Sequence, residues 1–342
     1  MFKAIEYSDL SSSYILIDVR SPGEYNEATI PGAINMPLFN DEDRKNIGYI
    51  FVNESVEKAK KLGVEAAVKR LPQIYEGISN LHKENKKVAI FCARGGMRSL
   101  SICSLLNSLG IDIVRIRGGY KGYREYINST LPKVNEDVKY IVFHGKTGIG
   151  KTEILKLLKE KNIDILDLES AANHRGSLLG NVGLGKCRSQ KNFEAEIFET
   201  LKNRKTNYVI VEGESKRIGN IIIPDYIYRS MEEGIHIFGD ADIEFRSNLL
   251  VSEYTSKPNC KEEILGSLEK MSKYISIKNI QKYKECILKG EYYSVAEELM
   301  IKYYDPMYMN GMKNYDYDFT LHINSIEKAA EDIIRYLYKI TN

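Results

Sequence analysis

Val88-Ala89-Ile90-Phe91-Cys92-Ala93-Arg94-Gly95-Gly96-Met97-Arg98-Ser99 is an apolar run that ends in a cysteine, two arginines and a glycine pair. The next residues, Leu100 to Leu109, carry a helical apolar pattern. A buried strand therefore delivers the cysteine into a tight turn that opens a helix. Backbone N–H groups at a helix start, together with Arg94 and Arg98, favour negative charge on a sulfur placed there. Glycines let the backbone wrap closely around an anion. The loop reads as a holder for a charged sulfur, or for a sulfur or selenium atom carried on it. The competing reading is a small buried hydrophobe at a strand end, the usual fate of an intracellular cysteine.

Working outward toward the N-terminus, Tyr14-Ile15-Leu16-Ile17-Asp18 is an apolar run that continues into Val19-Arg20. A Ser21-Pro22-Gly23 turn and Glu24 follow it. Ile30-Pro31-Gly32-Ala33-Ile34-Asn35-Met36-Pro37 is an extended segment stiffened by prolines. Residues 54–83 have helical spacing interrupted at Pro72, and Ile111 to Ile116 is another strand. Gly118-Gly119-Tyr120-Lys121-Gly122-Tyr123-Arg124 closes the unit. Strands alternating with helices imply an α/β sheet.

Downstream, Leu131-Pro132 to Asp137 is polar and reads as a connector. It divides the chain into residues 1–132, a core at 133–240, and a mainly helical part at 241–342 belonging to the second half. Tyr140-Ile141-Val142-Phe143 then runs into Gly145-Lys146-Thr147-Gly148-Ile149-Gly150-Lys151-Thr152, with an apolar helix pattern after it. This is GxxxxGK[ST] in the strand–loop–helix context that a P-loop requires. Gly145, Gly148 and Gly150 let N–H groups converge on phosphate oxygens, Lys151 neutralises their charge, and the Thr152 hydroxyl suits a magnesium ion. Further strands at Ile163–Leu166, Tyr208–Val211 and Ile235–Phe238 complete a parallel, P-loop NTPase-like sheet. Asp167, Glu169, Glu212 and Glu214 follow strand ends, where carboxylates either hold magnesium and orient basic groups or are simply solvated. Asn173-His174-Arg175-Gly176-Ser177 forms a polar loop cluster with Gly180, Gly183 and Gly185. His174 and Arg175 there are candidates for phosphate contact or proton transfer, although a lone loop histidine usually does neither. The chain contains no guanine-reading Asn-Lys-x-Asp and no clear adenine-reading motif, so the bound phosphate need not belong to a nucleotide. Tyrosines near lysines in the helical part suit either base stacking or, more commonly, core and boundary packing.

The 342 residues are 43% hydrophobic and 28% charged, ordinary for a soluble globular protein of two domains. Net charge is only +2, so a polyanion must be met by a local basic patch and not by the field of the whole molecule. Cysteines 92, 103, 187, 260 and 286 show neither CxxC pairs nor metal-ligand spacing, which suggests a reducing cytoplasm and no structural metal. The N-terminus lacks a signal-peptide design, and no apolar run is long enough to span a bilayer, so no membrane partner is expected.

Asp18-Val19-Arg20 with Glu24, the Ile30–Asn35 segment, the Cys92 loop and Gly118-Gly119-Tyr120 together resemble a rhodanese domain, in order and spacing over about 120 residues. That likeness implies a loop cysteine, Cys92, carrying a transferable chalcogen. A tryptophan common after the Gly-Gly is missing, because the chain has no Trp; Tyr123 or Tyr126 is expected to fill the space. With the P-loop, Asp167-Leu168-Glu169, Asn173 to Ser177, Glu212-Gly213-Glu214-Ser215, Arg217-Ile218-Gly219 and Tyr304-Asp305-Pro306-Met307-Tyr308, nearly the whole chain resembles the tRNA 2-selenouridine synthase family. The resemblance implies a transferase that replaces the sulfur of a wobble 2-thiouridine by selenium from selenophosphate, through an S-geranyl intermediate made from geranyl diphosphate. It implies Cys92, Arg94 and Arg98 at the selenium step, the P-loop at the diphosphate, and magnesium or substrate contacts among Asp167, Glu169, His174, Arg175, Glu212, Glu214 and Arg217. Selenophosphate and geranyl diphosphate are then substrates, no tightly bound organic cofactor is expected, and the partners are the tRNA anticodon arm and a selenophosphate-producing enzyme. One departure stands out: the family's Tyr-Lys-x-x-Gly stretch is Phe51-Val52-Asn53-Glu54-Ser55 here, and loss of the glycine is expected to alter a turn near the cleft. Two other readings stand beside this one. The first is an ATP-coupled rhodanese-type sulfurtransferase, and the second is a non-catalytic persulfide- or nucleotide-sensing module.

Overall fold

The computed structural model describes residues 4–176, 182–256, 259–312 and 315–341. Ser177 and Gly180 of the polar loop cluster lie outside the described residues. The chain separates into two compact units, 1–131 with 194–196 and 132–193 with 197–342.

In the first unit the strands are β1 (Ala4–Ile5), β2 (Tyr14–Asp18), β3 (Ile34–Asn35), β4 (Lys87–Phe91) and β5 (Ile113–Ile116). They pair in the order β1-β5-β4-β2-β3, every pair parallel. β4 is the middle strand, and its Val88 to Phe91 are buried, as a strand covered on both faces must be. Asp18 and Arg20 are both buried and paired, with Arg20 Nη2 donating to Asp18 Oδ2 at 2.6 Å and to the Ala28 carbonyl at 2.6 Å. The Arg20 guanidinium also lies 4.2 Å from the centre of the Tyr120 ring. The Asp-Val-Arg signature thus acts as an internal brace. Tyr123 is fully buried and packs edge-on against Tyr7, ring centres 4.5 Å apart, whereas Tyr126 is only half-buried.

The helical stretch 54–83 is two helices, Val56–Val68 and Leu71–Lys83. Pro72 sits in the first turn of the second, where its missing N–H costs nothing. Ser55 stands where the family has a glycine. Ser55 has an ordinary extended backbone (φ −146°) and caps the helix, its Oγ accepting the Lys58 N–H at 3.3 Å.

The stretch read as a polar connector is instead the end of an 18-residue helix, Gly119–Glu136, with Pro132 inside it. Buried Ile127, Leu131 and Asn135 recur at four-residue spacing through the proline. Asn135 escapes a sequence reading because its polarity is satisfied internally: it accepts from the Tyr140 hydroxyl at 2.8 Å and donates to Ser230 Oγ at 3.0 Å.

The second unit holds β6 (Lys139–Gly145), β7 (Ile165–Leu166), β8 (Tyr208–Glu212), the antiparallel hairpin β9 (Arg217–Ile218) and β10 (Ile221–Ile222), β11 (Ile235–Asp240) and β12 (Phe319–His322). The main sheet runs β12-β11-β6-β8-β7, all parallel, with β6 in the middle. Its edge strand β12 comes from the part read as helical, so the sheet is not complete within 133–240. β12 escapes notice because it is short and only half-buried. The helices between residues 243 and 312 build a separate apolar cluster in which Tyr283 and Tyr304 are core residues. No helix among the described residues is long and apolar enough to cross a membrane.

Candidate functional sites in the two units

Cys92 follows β4 directly and precedes the helix Met97–Ser108. It is 3% exposed, and its Sγ lies 3.2 Å from Ser99 Oγ and 4.0 Å from the Gly96 carbonyl. Among the described residues no backbone N–H donates to the sulfur, contrary to the expectation from the helix start. The loop is held from behind by the Gly118-Gly119 turn, whose following amides donate to the carbonyls of Cys92 and Ala93 at 2.9 Å each. Gly119 has φ +58°, and a Cβ on it would stand 2.1 Å from the Cys92 carbonyl oxygen, so only glycine fits. Arg115 also donates to the Gly95 carbonyl.

The two loop arginines differ. Arg94 is exposed, while Arg98 is paired with Glu24 at 2.7 Å, and Glu24 also meets Arg44 at 3.2 Å. Burial alone would raise the Glu24 carboxyl, but the hydrogen bond and charge of Arg98 hold it below the usual carboxylate range. The positive charge expected to face an anion at this loop is therefore partly satisfied within the protein. Ser99 belongs to the loop stretch and Glu24 to the Asp-Val-Arg signature, but their contacts with the Cys92 sulfur and with Arg98, 74 residues on, come only from the fold. Cys103 is a fully buried core residue.

In the second unit the P-loop leaves the end of β6. Gly148 and Gly150 adopt φ +81° and +87°, and a Cβ at Gly148 would meet the Arg246 carbonyl at 2.8 Å. Lys151 Nζ donates to the Gly145 carbonyl at 3.2 Å and lies 5.8 Å from the centre of the Tyr308 ring. Lys146 pairs with Asp240 at 3.1 Å. The loop backbone is gripped by Arg246, which is 3% exposed. Its Nε donates to the Thr147 carbonyl at 2.8 Å, and its guanidinium binds Asp305 in a two-pronged pair at 2.9 and 2.5 Å. Sequence reading passed over Arg246 because its partner is 59 residues away.

The pocket at this loop is also lined by Glu169, Arg175, Glu253, Tyr254 and Tyr308. Arg175 is held by Glu253 and stands 4.8 Å over the Tyr254 ring. Glu169 and Glu214 converge near Gly176, where a Cβ would meet their oxygens at 3.2 and 2.5 Å. Burial and the neighbouring Glu214 push the Glu169 carboxyl up to about 8. Burial also raises Glu214, against the pull of Lys151. Glu212, fully buried, is raised by burial and by Asp167 and Glu169; one of its oxygens accepts the Leu168 N–H at 2.9 Å. The other remaining candidates are placed differently. Asp167 caps the helix Leu168–Ala172 through the Ser170 N–H at 2.7 Å, and His174 is buried with its ring against Gly219. Arg217 is exposed on the β9–β10 hairpin and is not among the residues lining the pocket.

His144, just before the P-loop, shares a 2.8 Å hydrogen bond with His236, whose other ring nitrogen meets the Glu232 carbonyl at 3.1 Å. Burial, then the His236 charge, pushes His144 down to about 3, so His144 is neutral at physiological pH.

Comparison with known proteins follows the same division. A rhodanese-like domain model matches residues 4–126, and a model of the tRNA 2-selenouridine synthase AAA domain matches residues 138–339. The tRNA 2-selenouridine synthase of Nitrosomonas europaea is 28% identical over 98% of this chain and 90% of its own. The protein of the same name from Pseudomonas fluorescens is 30% identical over 86% of this chain and 87% of its own. A solved N-terminal domain from Clostridium difficile 630 is 38% identical, covering 37% of this chain and 98% of that one, with a TM-score of 0.35. Both loops thus fall inside matched domains, and the long relatives join the two domains in a single chain as this one does: the chain belongs to the tRNA 2-selenouridine synthase family.

Proposed function

We propose that this enzyme exchanges the sulfur of a 2-thiouridine at the tRNA wobble position for selenium from selenophosphate, through an S-geranyl intermediate made from geranyl diphosphate. The observation that carries the reading is the presence, in one chain of this family, of a cysteine loop and a P-loop, each on the middle strand of its own parallel sheet. The anticodon arm presents its base in a loop that is already single-stranded, so exposing it costs little.

In the first step the thiocarbonyl sulfur attacks C1 of geranyl diphosphate. The C1–O bond breaks, pyrophosphate leaves with the electron pair, and N3 of the base gives its proton to solvent. Charge grows on the departing oxygens in the transition state, where Lys151 and the loop N–H groups meet it. Magnesium commonly takes only one or two protein oxygens beside substrate phosphates. The donors here fit that pattern: the Thr152 hydroxyl follows Lys151, and Glu169, whose raised carboxyl would give up its proton to the cation's charge, lines the pocket. Such an ion, when bound, adds Lewis-acid neutralisation of the diphosphate.

In the second step selenium attacks C2, the C2–S bond breaks, and geranylthiolate leaves and takes up a proton. Water then splits the selenium–phosphorus bond, releasing phosphate. Cys92 steers the selenium, with Ser99 beside its sulfur and Arg98 and Arg94 close in sequence to meet the anion.

The test supplies purified protein and 2-thiouridine tRNA with geranyl diphosphate and magnesium, then selenophosphate, and reads the wobble nucleoside by mass. A geranyl adduct followed by a selenium nucleoside is expected. No mass change with ATP consumed instead would replace this reading by the ATP-coupled sulfurtransferase.

A further inference from the structure

An apolar cavity of about 440 Å³ lies within the first unit, walled by the helices Asp41–Asn53, Val56–Val68 and Met97–Ser108. Its lining includes Leu38, Phe39, Phe51, Val64, Val68 and Met97. Several of these side chains are left to solvent, with Phe51 42%, Val64 64%, Val68 59% and Met97 55% exposed. Apolar surface gathered around an opening in this way marks a binding site more often than a packing fault.

The cavity belongs to the sulfur loop. One wall is the helix that begins at the Cys92 turn, contributing Met97, Arg98 and Ser101, and Leu38 and Phe39 of another wall sit in the same packed core cluster as Cys92. The charged residues in the lining are Lys60 and Arg98, with no carboxylate among them. Arg98 shares its charge with Glu24, so Lys60 adds the net positive charge beside this apolar hole, which is complementary to an apolar group attached to an anionic molecule. The size agrees as well. A cavity of roughly 150 Å³ takes the six carbons of benzene, so about 440 Å³ has room for a chain of ten carbons.

We infer that this cavity seats the geranyl chain of the S-geranyl nucleoside during the second step, with the RNA phosphates on the side of Lys60 and Arg98. The inference rests on the reaction sequence proposed above. It gives that sequence a physical purpose for the long alkyl group. A methyl would make an equally adequate thiol leaving group, but only a long chain gains binding energy from the cavity that can be used to hold C2 at the sulfur loop.

The test uses full-length protein and two anticodon-arm RNA hairpins, one carrying S-geranyl-2-thiouridine and the other S-methyl-2-thiouridine. With selenophosphate, the wild type is expected to convert the geranyl hairpin roughly 100-fold more efficiently in kcat/KM, as burial of several extra carbons predicts. Val64→Glu places a carboxylate in the cavity and is expected to bring the geranyl-to-methyl ratio close to one. A ratio that survives Val64→Glu overturns the inference. A second reading does not depend on turnover. The chain has no tryptophan, so Val68→Trp introduces a single emitter at the cavity wall. Its emission is expected to shift to the blue with the geranyl hairpin and not with the methyl one; the same response to both, or to neither, overturns the inference. If the geranyl hairpin alone shifts the emission but neither is converted, the cavity stands and the proposed second step falls.

Discussion

The two anion loops of this protein start from one blueprint and diverge in how they treat charge. Each follows the middle strand of a five-stranded parallel sheet and opens a helix. Around Cys92 the cation nearest the helix start, Arg98, is held by a carboxylate 74 residues away, and the sulfur itself meets a hydroxyl and a carbonyl. Around Lys151 the arrangement is reversed. The lysine has only a backbone carbonyl as hydrogen-bond partner among the described residues, while burial raises the nearby Glu169, Glu212 and Glu214 carboxyls, Glu169 to about 8. The first loop thus has one of its two arginines tied to a carboxylate, whereas the second keeps its lysine off any carboxylate among the described residues and raises the acids around it. Proximity of charge in sequence is a poor guide to the field at a site, because partners arrive from elsewhere in the fold.

The comparison is broken most severely by crossing variants between the loops. Lys151→Ala is expected to slow geranyl transfer by about 100-fold or more while leaving selenium incorporation into an S-geranyl hairpin intact. Cys92→Ala should do the opposite, and mass analysis of the two half-reactions reads both. Should one substitution disable both half-reactions to the same degree in folded protein, the loops do not have separate tasks. Next in size is Arg246→Met, which strands the Asp305 carboxylate and releases the P-loop backbone. A loss of roughly 3 kcal/mol in unfolding free energy is expected, confined to the second transition if the units melt separately.

A smaller effect follows from the raised Glu169 carboxyl. A carboxyl raised to about 8 keeps its proton in the folded protein while the unfolded chain has released it near 4.5. Folding stability is therefore fully present below about 4.5 and is lost as pH rises through about 8. Glu169→Gln should flatten that fall, so the variant gains on the wild type in melting temperature at pH 9 but not at pH 4. The His144–His236 pair works the other way, since His144 is depressed from 6.5 to about 3. It contributes stability above 6.5 that is lost as pH falls through about 3, and an acid-side melting series on His144→Asn exposes it. Smallest is Glu24→Gln, which frees Arg98 from a partly exposed pair contributing less than about 1 kcal/mol. The KM for selenophosphate should fall a few-fold with kcat little changed. An unchanged KM would mean that Arg98 does not meet the anion.

Local chemistry determined much of this protein. Apolar runs followed by glycine-bearing loops were enough to place both strand–loop–helix units, because a P-loop and a cysteine loop are specified by contiguous residues whose backbone shape and charge are local properties. The break at Pro72 and the Asp18-Val19-Arg20 signature were likewise visible in short windows, though not the new helix that starts at Leu71 or the burial of the Asp18–Arg20 pair. What needed tertiary structure was anything settled by a partner distant in the chain: Asp305 gripping Arg246, Glu24 taking Arg98, and the short edge strand Phe319–His322 completing a sheet begun at Lys139. Asn135 shows why a polar stretch reads as a connector and not as a helix end: polarity suggests exposure until Tyr140 and Ser230 bring partners into the interior. The raised carboxyl of Glu169 and the apolar cavity beside the Cys92 helix have the same origin. Burial and empty volume belong to the assembled fold, and no single segment of the chain encodes either.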